Sequence, residues 1–331
     1  MTVEDLLFFA KQHIHSDHAK LLLAELLHKN ALELLNYLDY QVDEKTTKLY
    51  KEAVKALEEG KPLQYVIGYV NFYGNQFIVN ENVLIPRYET EELVEKTINF
   101  SKKFFTKPVD IIDLGTGTGA IGLTLEKKLS TNSVDLVDIS EKALEVTHQN
   151  CVKLNSKANL IHSDMFENVD KKYDIIISNP PYIKTTEEIE AIVKNNEPSI
   201  ALYAGEDGLD CYRKILKSIK SHMKDKCLIA FEIGMTQAEN IKRIIAENLE
   251  DVKVEVYKDL SEVCVENIKK DGFDCLFTLG GDSTQKSARD FSLRGIKVIG
   301  VPKTIDNDVA CTDVTFGYNT AVSVATEALD R

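Results

Sequence analysis

Short apolar runs alternate with longer amphipathic segments between residues 108 and 257. The short runs are rich in β-branched residues, which is typical of strands buried on both faces of a parallel sheet. In the longer segments apolar residues recur at helical spacing. This alternation predicts an α/β fold with a mostly parallel, doubly wound, Rossmann-like sheet. Predicted strands cover 108–114, 134–137, 175–178, 227–233 and 252–256, with another just before 163; predicted helices cover 120–129, 141–154 and 238–249, with another from about 209.

Residues 2–60 show a different, purely helical spacing. Leucines recur there at every third or fourth position, and Ser16, Asp17 and Asp43 are typical of helix starts. The segment therefore predicts a helical N-terminal domain. Three histidines lie close together, at positions 13, 15 and 18, but no acid or cysteine completes a recognisable metal-ligand set. We interpret them as surface residues of helices and expect no metal site.

The segment 63–85 alternates apolar and polar residues in the manner of strands. Tyr65 and Ile67 form one alternating pair and Phe77 and Val79 form another, with turn residues between them. This pattern predicts a β-hairpin that links the helical domain to the parallel sheet.

Composition limits the classes of function. The 331 residues are 44% hydrophobic and 28% charged, which is ordinary for a soluble globular chain with two or more domains. No apolar run reaches about 18 residues and no secretory signal is recognisable, so we expect no membrane span. Six scattered cysteines fit a reducing cytoplasm. The net charge of −13 argues against direct nucleic-acid binding, which requires basic surface.

A glycine-rich turn follows the predicted strand 108–114. Glycines let the backbone approach a ligand more closely than a residue with a Cβ would allow. The next predicted strand ends at Asp138, 19 residues after Gly119, where a carboxylate can accept hydrogen bonds from both hydroxyls of a ribose. Strand, turn, helix and acid in this order predict a site for a nucleoside cofactor. The turn and its flanks read Asp113-Leu114-Gly115-Thr116-Gly117-Thr118-Gly119.

Three further residues are candidates for this cofactor site. Asp164 follows the third predicted strand and by position can accept a hydrogen bond from an adenine amino group. Met165 can pack on the adenine ring. Arg87 has two interpretations, a contact to an anionic group near a cofactor carboxylate or a salt bridge at a domain interface.

A second motif, Asn179-Pro180-Pro181-Tyr182, follows the predicted strand 175–178. The two prolines stop the strand abruptly, because proline fixes φ and lacks a backbone donor. The Asn179 amide oxygen and the Pro180 carbonyl then offer two neighbouring acceptors, suited to a substrate that presents an NH2 group. Tyr182 adds a flat wall for a planar group. The competing interpretation is that these residues form only a strand-to-loop turn.

The two motifs together resemble those of class I S-adenosylmethionine-dependent methyltransferases that methylate amide or exocyclic amine nitrogens. Other segments narrow the resemblance, over about residues 1–260, to the peptide chain release factor glutamine methyltransferases. Tyr88 stands where this family usually has a proline after the arginine, and we expect this difference to have only a small local effect. The narrowing segments are Pro62-Leu63-Gln64-Tyr65, Asn71-Phe72-Tyr73-Gly74, Val83-Leu84-Ile85-Pro86-Arg87, Glu89-Thr90-Glu91-Glu92-Leu93 and Gly205-Glu206-Asp207-Gly208-Leu209.

The resemblance implies S-adenosyl-L-methionine as cofactor and peptide chain release factors as partners. The methyl acceptor would be the glutamine in their Gly-Gly-Gln tip. Catalytic roles are expected for Asn179, Pro180 and Tyr182, and Pro181 joins them in binding substrate. Cofactor binding is expected from Asp113, Gly115, Thr116, Gly117, Thr118, Gly119, Asp138, Asp164, Met165 and Asn179.

Beyond about residue 260 the pattern changes. Predicted strands at 274–279 and 296–301 are followed by Gly280-Gly281-Asp282-Ser283-Thr284 and Pro302-Lys303-Thr304-Ile305-Asp306-Asn307-Asp308. These segments resemble 6-phosphofructokinase, in which the glycine turn handles nucleotide phosphates and magnesium and the acid at 306 would take the sugar hydroxyl proton. Ser283 stands where that family usually has glycine or aspartate. We interpret the segment as a truncated α/β fragment whose vestigial kinase-like residues are Gly281, Asp282, Asp306 and Asp308.

The patterns and the two resemblances together divide the chain into four segments. These are a helical domain at 1–60, which resembles the family's substrate-recruiting domain, a hairpin linker at 61–86, a methyltransferase domain at 87–260 and the kinase-like fragment at 261–331. The expected function is methylation of the release-factor glutamine. DNA adenine N6-methylation is a second hypothesis, since adenine also presents an NH2 beside a flat ring. A third hypothesis is a nucleotide-binding protein without turnover, and a fourth is a bifunctional chain with residual phosphofructokinase activity.

We expect no phosphofructokinase turnover, although Asp306 and Asp308 are present. The fragment brings one glycine turn and one acid cluster, without the kinase's upstream phosphate loop or its sugar-phosphate-binding half. A carboxylate that acts as general base raises the rate by ~10²–10⁴-fold. Placement of the reactants and stabilisation of charge supply most of the remaining acceleration. A coupled assay with fructose 6-phosphate, magnesium and ATP or pyrophosphate measures this. Turnover above the blank that Asp306→Ala abolishes would show a complete kinase site.

Overall fold

The computed structural model describes residues 1–31, 33–258, 268–270, 276–280, 291–292 and 294–302. The chain divides into two compact units, Met1–Glu255 and Val256–Arg331. The first unit contains an N-terminal helical layer, a short hairpin and a parallel sheet with its helices. Within the described ranges, none of the helices combines the length and apolar character needed to cross a bilayer.

The N-terminal helices confirm the helical spacing of the leucines. Thr2 and Asp5 form a reciprocal capping box at the first helix, and Asp43 caps the third through a 2.9 Å bond from the Thr46 amide. The helices pack around Tyr50, whose hydroxyl donates to the Ala19 carbonyl at 3.0 Å. The elements are α1 (Val3–Lys11), α2 (Ser16–Leu26), a 3₁₀ helix (Glu33–Tyr37) and α3 (Glu44–Glu58).

The linker is partly helical, which corrects the predicted extent of the hairpin. Tyr65 and Ile67 lie in a short helix, α4 (Leu63–Ile67), and not in a strand. Pro62 precedes this helix and Gly68 ends it with a left-handed φ of 83°, an arrangement that favours one helical turn over an extended chain. The hairpin itself is confirmed as β1 (Tyr69–Phe72) and β2 (Asn75–Ile78), which pair antiparallel.

The large sheet has five parallel strands in the order β5-β4-β3-β6-β7. This order confirms the doubly wound α/β prediction. The strands are β3 (Val109–Leu114), β4 (Thr131–Asp138), β5 (Asn159–His162), β6 (Tyr173–Ser178) and β7 (Met223–Phe231). The helices are α5 (Tyr88–Phe104), α6 (Ala120–Lys128), α7 (Glu141–Leu154), α8 (Ala191–Asn196), α9 (Asp210–His222) and α10 (Ala238–Asn248), with a 3₁₀ turn at Ser199–Ala201.

Both faces of the sheet are buried, as continuous apolar strands require. Ile111 and Leu136 belong to the core on one face, together with residues of α5 and α6. Ile112 and Val137 belong to the core on the other face, together with residues of α9 and α10. Neighbouring residues of one strand thus point to opposite cores, which fixes the register of each strand.

The predicted strand at 252–256 is not formed. Residues 252–258 have no regular secondary structure, and Val252, Val254 and Val256 are 39–43% exposed. Alternation indicates only that a segment can occupy a sheet edge. A strand also needs a partner for its backbone groups, and none of the described residues pairs with this one.

The second unit contains one described strand pair. β8 (Leu276–Gly280) and β9 (Val298–Pro302) run parallel, with Leu276 opposite Val298. They confirm the strands predicted at 274–279 and 296–301, shifted by one or two residues.

One buried side chain ties the hairpin to the glycine-rich turn. Asn150 of α7 is fully buried, accepts the Ile78 amide at 2.7 Å and donates to the carbonyls of Ile78 and Thr118 at 3.0 and 2.9 Å. A buried backbone group that loses its partner is costly. Asn150 therefore couples the position of the hairpin to the shape of the turn.

We predict that Asn150→Ala lowers the free energy of unfolding by about 2–4 kcal/mol, because it leaves buried backbone groups unpaired. Urea unfolding measures the change. Asn132→Ala removes an exposed bond to the Pro108 carbonyl and is the matched control, expected to change stability by less than about 1 kcal/mol. Equal effects of the two substitutions would contradict the anchoring role of Asn150.

Candidate active site

The carboxyl ends of the strands form one row of candidate residues. Leu114, Ser178 and Phe231 are paired across β3, β6 and β7, so the residues that follow them emerge side by side. Chain order reverses between β3 and β6, which is where open α/β sheets bind ligands. Along this edge lie Asp164 after β5, Asp138 at the end of β4, Gly115 after β3, Asn179 after β6 and Glu232 after β7.

The glycine-rich turn presents open backbone at this edge. Gly115 and Gly117 have φ values of 69° and 56°, and a Cβ added to either would meet no heavy atom within 4 Å. Gly119 serves packing instead, since a Cβ there would lie 2.9 Å from the Leu123 side chain. The first two glycines therefore leave a cradle for a ligand, while the third lets α6 pack closely.

Asp113 lies beneath the turn and is fully buried. One carboxyl oxygen, Oδ2, accepts bonds from the Thr116 hydroxyl at 2.6 Å and the Gly122 amide at 3.0 Å. Burial raises the pKa of this carboxyl to about 6, against the effect of those two bonds. Its other oxygen, Oδ1, is buried without a partner among the described residues.

The threonines of the turn hold its backbone. The Thr116 amide donates to the Val137 carbonyl at 2.9 Å, and the Thr118 hydroxyl accepts the Ala120 amide at 3.2 Å. Thr147 of α7 donates to the Gly117 carbonyl at 2.7 Å. These three threonines hold the backbone that forms the cradle, and Thr118 itself is buried. Thr116 and Thr118 were predicted as site residues, whereas Thr147 was not.

Asp138 closes the cradle from β4. Its Oδ2 accepts the Gly117 amide and its Oδ1 accepts the Ser140 amide, both at 2.9 Å. Burial raises the pKa of this carboxyl, while the amide bonds act in the opposite direction. Each carboxylate oxygen keeps a further lone pair, so Asp138 can still accept ribose hydroxyls.

Asp164 and Met165 lie one strand further along, after β5. Asp164 forms an ion pair with Lys214 of α9, a partner that the sequence did not indicate. Met165 adopts a left-handed φ of 53°. A cavity of about 290 Å³ is lined by both residues and by Lys214 and His222. An adenine contact at Asp164 would therefore share the carboxylate with Lys214.

Asn179 is held by a chain of two hydrogen bonds. Its Nδ2 donates to the Thr90 hydroxyl oxygen at 3.2 Å, and the Thr90 hydroxyl donates to Glu232 Oε2 at 2.7 Å. Thr90 is only 4% exposed. Burial raises the pKa of Glu232, and Glu89 raises it further, whereas bonds from Thr90 and Asn179 and the charge of Arg87 lower it.

The rest of the second motif is also enclosed. Pro180 is buried, and burial raises the pKa of the Tyr182 phenol to about 12, so the ring stays neutral. Gln237 donates from Nε2 to the Tyr182 and Gly208 carbonyls at 2.9 and 3.1 Å and accepts the Gly234 amide at 3.0 Å. Gln237 thus ties the loops after β6 and β7 together.

Sequence reasoning found both motifs but missed Thr90, Glu232 and Gln237. Thr90 lies in a segment recognised for family resemblance without an assigned role. Glu232 is an acid within the apolar segment predicted as a strand at 227–233, and that position was a usable signal. Gln237 gave no signal, because its contacts arise from three separate loops.

Arg87 pairs with Glu197, which also accepts the Ile85 amide at 3.2 Å. This favours the salt-bridge interpretation over a contact to cofactor. Among the described residues no group of three acids, histidines or cysteines is arranged to hold a metal, and His13 instead bonds Glu58 at 2.9 Å. The vestigial kinase-like residues lie outside the described residues; these are Gly281, Asp282, Asp306 and Asp308.

The cradle fits S-adenosylmethionine. Two open glycines admit the ligand, an acid at the end of β4 can take its ribose, and a buried carboxyl oxygen beneath the turn has no partner among the described residues. Residues 92–196 match the family described as methyltransferase small domain, and residues 8–68 match the PrmC N-terminal domain. The chain is a class I S-adenosylmethionine-dependent methyltransferase.

Relatives place the chain within this class. The release factor glutamine methyltransferase of Bacillus cereus is 36% identical over 248 residues, which cover 73% of this chain and 88% of that protein. The Bacillus subtilis protein of the same name is 39% identical, covering 69% of this chain and 82% of its own length. The chain belongs to the release factor glutamine methyltransferase family.

Two further similarities extend the comparison. The ribosomal protein L11 methylase from Lactobacillus delbrueckii subsp. bulgaricus is 21% identical, with 57% of this chain and 85% of that chain covered at a TM-score of 0.39. Residues 190–331 match the phosphofructokinase family. That match begins earlier than the resemblance at 261, inside the first unit, where β7 pairs with β6 of the methyltransferase sheet.

We predict that Asp138→Ala weakens S-adenosylmethionine binding by about 1.5–3 kcal/mol, the range for a hydrogen bond to a charged group. Isothermal titration calorimetry measures the affinity. Asp170→Ala, at an exposed position after β5, is the matched control and should leave affinity unchanged. Equal affinity of the Asp138→Ala variant and the unaltered chain would move the ribose contact elsewhere.

Proposed function

We propose that the chain transfers a methyl group from S-adenosylmethionine to the side-chain nitrogen, N5, of the glutamine in the Gly-Gly-Gln motif of peptide chain release factors. The observation that carries the proposal is the anchoring of Asn179 beside the glycine cradle. Its amide nitrogen is engaged with Thr90, which leaves its oxygen for a substrate NH2. The relatives that share this chain's family bear the name of that reaction.

The acceptor pair compensates for the low reactivity of the glutamine nitrogen. A glutamine nitrogen shares its lone pair with the neighbouring carbonyl and is therefore a poor nucleophile. When bound, S-adenosylmethionine supplies a strongly electrophilic methyl group, so the protein's task is mainly positioning. Asn179 Oδ1 and the Pro180 carbonyl accept the two N–H bonds and aim the nitrogen lone pair at the cradle. The same oxygens stabilise positive charge that develops on the nitrogen.

Surrounding groups complete the proposed substrate site. Tyr182 and Pro181 form walls for the planar amide, and the neutral Tyr182 phenol adds no competing charge. We propose that residues 1–60 recruit the release factor, that 61–86 link them to the methyltransferase domain at 87–260, and that 261–331 form the kinase-like fragment. The expected place of action is the cytoplasm, with no direct nucleic-acid partner.

DNA adenine N6-methylation is the second candidate, because the acceptor pair also suits an exocyclic amine. The net charge of −13 disfavours it, since duplex DNA must be bound and its base turned out of the helix. Transfer of labelled methyl groups to a release factor and to duplex DNA separates the two. Labelling of DNA alone would overturn the proposed substrate.

We predict that Asn179→Ala lowers kcat for methyl transfer by about 10²-fold or more, the scale for losing one preorganised electrostatic partner. Cofactor affinity should stay nearly unchanged by comparison, because Asn179 is one of ten residues expected at the cofactor site. Initial rates with release factor and calorimetry with S-adenosylmethionine give the two quantities. Asn240→Ala, at an exposed asparagine of α10, is the matched control. Turnover of the Asn179→Ala variant at the unaltered rate would rule out this mechanism.

A further inference from the structure

We propose that Thr90 and Glu232 are positioning residues that fix the direction of the Asn179 amide, so that its oxygen and not its nitrogen meets the substrate. The inference rests on the proposed function, in which Asn179 Oδ1 accepts a substrate N–H. It adds two residues that contact neither the methyl donor nor the acceptor in that scheme.

The three side chains come from separate elements. Asn179 follows β6, Thr90 lies in the first turn of α5, and Glu232 follows β7. The Glu232 amide donates to the Ser178 carbonyl at 3.1 Å, which places the carboxylate beside Asn179. Thr90 approaches from the helix and bridges the two, with bonds of 3.2 Å to Asn179 and 2.7 Å to Glu232.

The directions of the two hydrogen bonds that join Asn179, Thr90 and Glu232 allow one arrangement. The Thr90 hydroxyl gives its single hydrogen to Glu232 Oε2 at 2.7 Å, since the carboxylate, while ionised, only accepts. The Thr90 oxygen then has only lone pairs to offer Asn179, and the Asn179 group that faces it must be the NH2. The amide oxygen is directed away from Thr90. Amide nitrogen and oxygen are otherwise nearly alike in shape, so this chain of donors supplies the distinction.

An Asn179 amide with its oxygen and nitrogen exchanged would oppose the reaction. With Oδ1 towards Thr90, the amide would present its own N–H groups to the N–H groups of the substrate. Two donors facing each other form no bond, and the substrate nitrogen would lose one of its two acceptors. Glu232 thus acts on the Asn179 amide through Thr90 and through the bond it receives from Asn179, without contacting the reacting atoms.

A double-mutant cycle with Asn179→Ala tests this role. Thr90→Val keeps the shape of the side chain and removes the hydroxyl, and it should lower kcat by about 10-fold, the upper range for a neutral hydrogen bond. Thr90→Ser restores the hydroxyl and should recover kcat to within about two-fold. In the Asn179→Ala background, Thr90→Val should change kcat by less than about two-fold, because no amide remains to be directed.

Thr97→Val is the matched control. Thr97 lies on the same helix and is 2% exposed, but its hydroxyl donates to the Leu93 carbonyl away from the site. It should leave kcat unchanged. Thermal unfolding and S-adenosylmethionine affinity are measured for every variant, so a loss of folded protein is not mistaken for a loss of positioning.

Glu232→Gln provides a second route should Thr90→Val not fold. A glutamine can donate to Thr90, which frees the hydroxyl hydrogen to turn towards Asn179 and makes both amide directions accessible. We expect kcat to fall by about 3–10-fold, with the effect again absent in the Asn179→Ala background. The inference is overturned if Thr90→Val or Glu232→Gln still lowers kcat in the Asn179→Ala background. It is also overturned if these substitutions leave kcat unchanged in the otherwise unaltered protein. Full activity of Asn179→Ala alone overturns the proposed function instead.

Discussion

The register between β3, β6 and β7 is the constraint on which the site depends. Leu114, Ser178 and Phe231 are paired in a row, and the Ser178 hydroxyl donates to the Leu114 carbonyl at 2.6 Å. A shift of one residue would exchange the two faces of a strand, so each side chain would leave the core in which it packs. The same shift would move Asn179 away from the glycine cradle. Fold stability and alignment of the site are therefore set by one set of contacts.

Charged groups at the two ends of β3 act on stability in opposite directions. At the amino end, burial raises the pKa of Asp110, but bonds from Lys224, Ser133 and Lys171 hold it well below its ordinary value. That carboxylate stabilises the fold above its ordinary pKa, and the contribution is lost as the pH falls through the lowered value. Asp113 at the carboxyl end has its pKa raised by burial to about 6. Its contribution is complete below the ordinary value of 3.8 and is lost as the pH rises through about 6. The two carboxyl groups of β3 therefore give stability opposite dependences on pH.

The sequence was sufficient to predict features that depend on local pattern. Parallel strands, the helices between them and the two motifs at their ends follow from apolar runs, glycines and prolines. The failures have nonlocal causes: Tyr65 and Ile67 alternate like a strand but lie between Pro62 and Gly68, which favour a helical turn. The segment 252–256 has a strand's alternation without a partner among the described residues. Thr90, Glu232 and Gln237 escaped because their roles arise only where the first turn of α5 and the loops after β6 and β7 meet.

The acceptor pair by itself does not choose among substrates. In the proposed function, any planar group with an NH2 would satisfy Asn179 Oδ1 and the Pro180 carbonyl, whether the group is a glutamine amide or an adenine. Discrimination must come from the surfaces that decide which group arrives, because specificity is a difference between affinities. In the loop after β6, Ile183 forms a parallel bridge with Tyr203, and Gln237 donates to the Gly208 carbonyl at 3.1 Å. Its segment 184–190 is almost wholly exposed and carries the acids Glu187, Glu188 and Glu190. In the proposed function, these acids would repel a phosphate backbone more than an uncharged protein loop, so their charge adds to the preference for a polypeptide over duplex DNA.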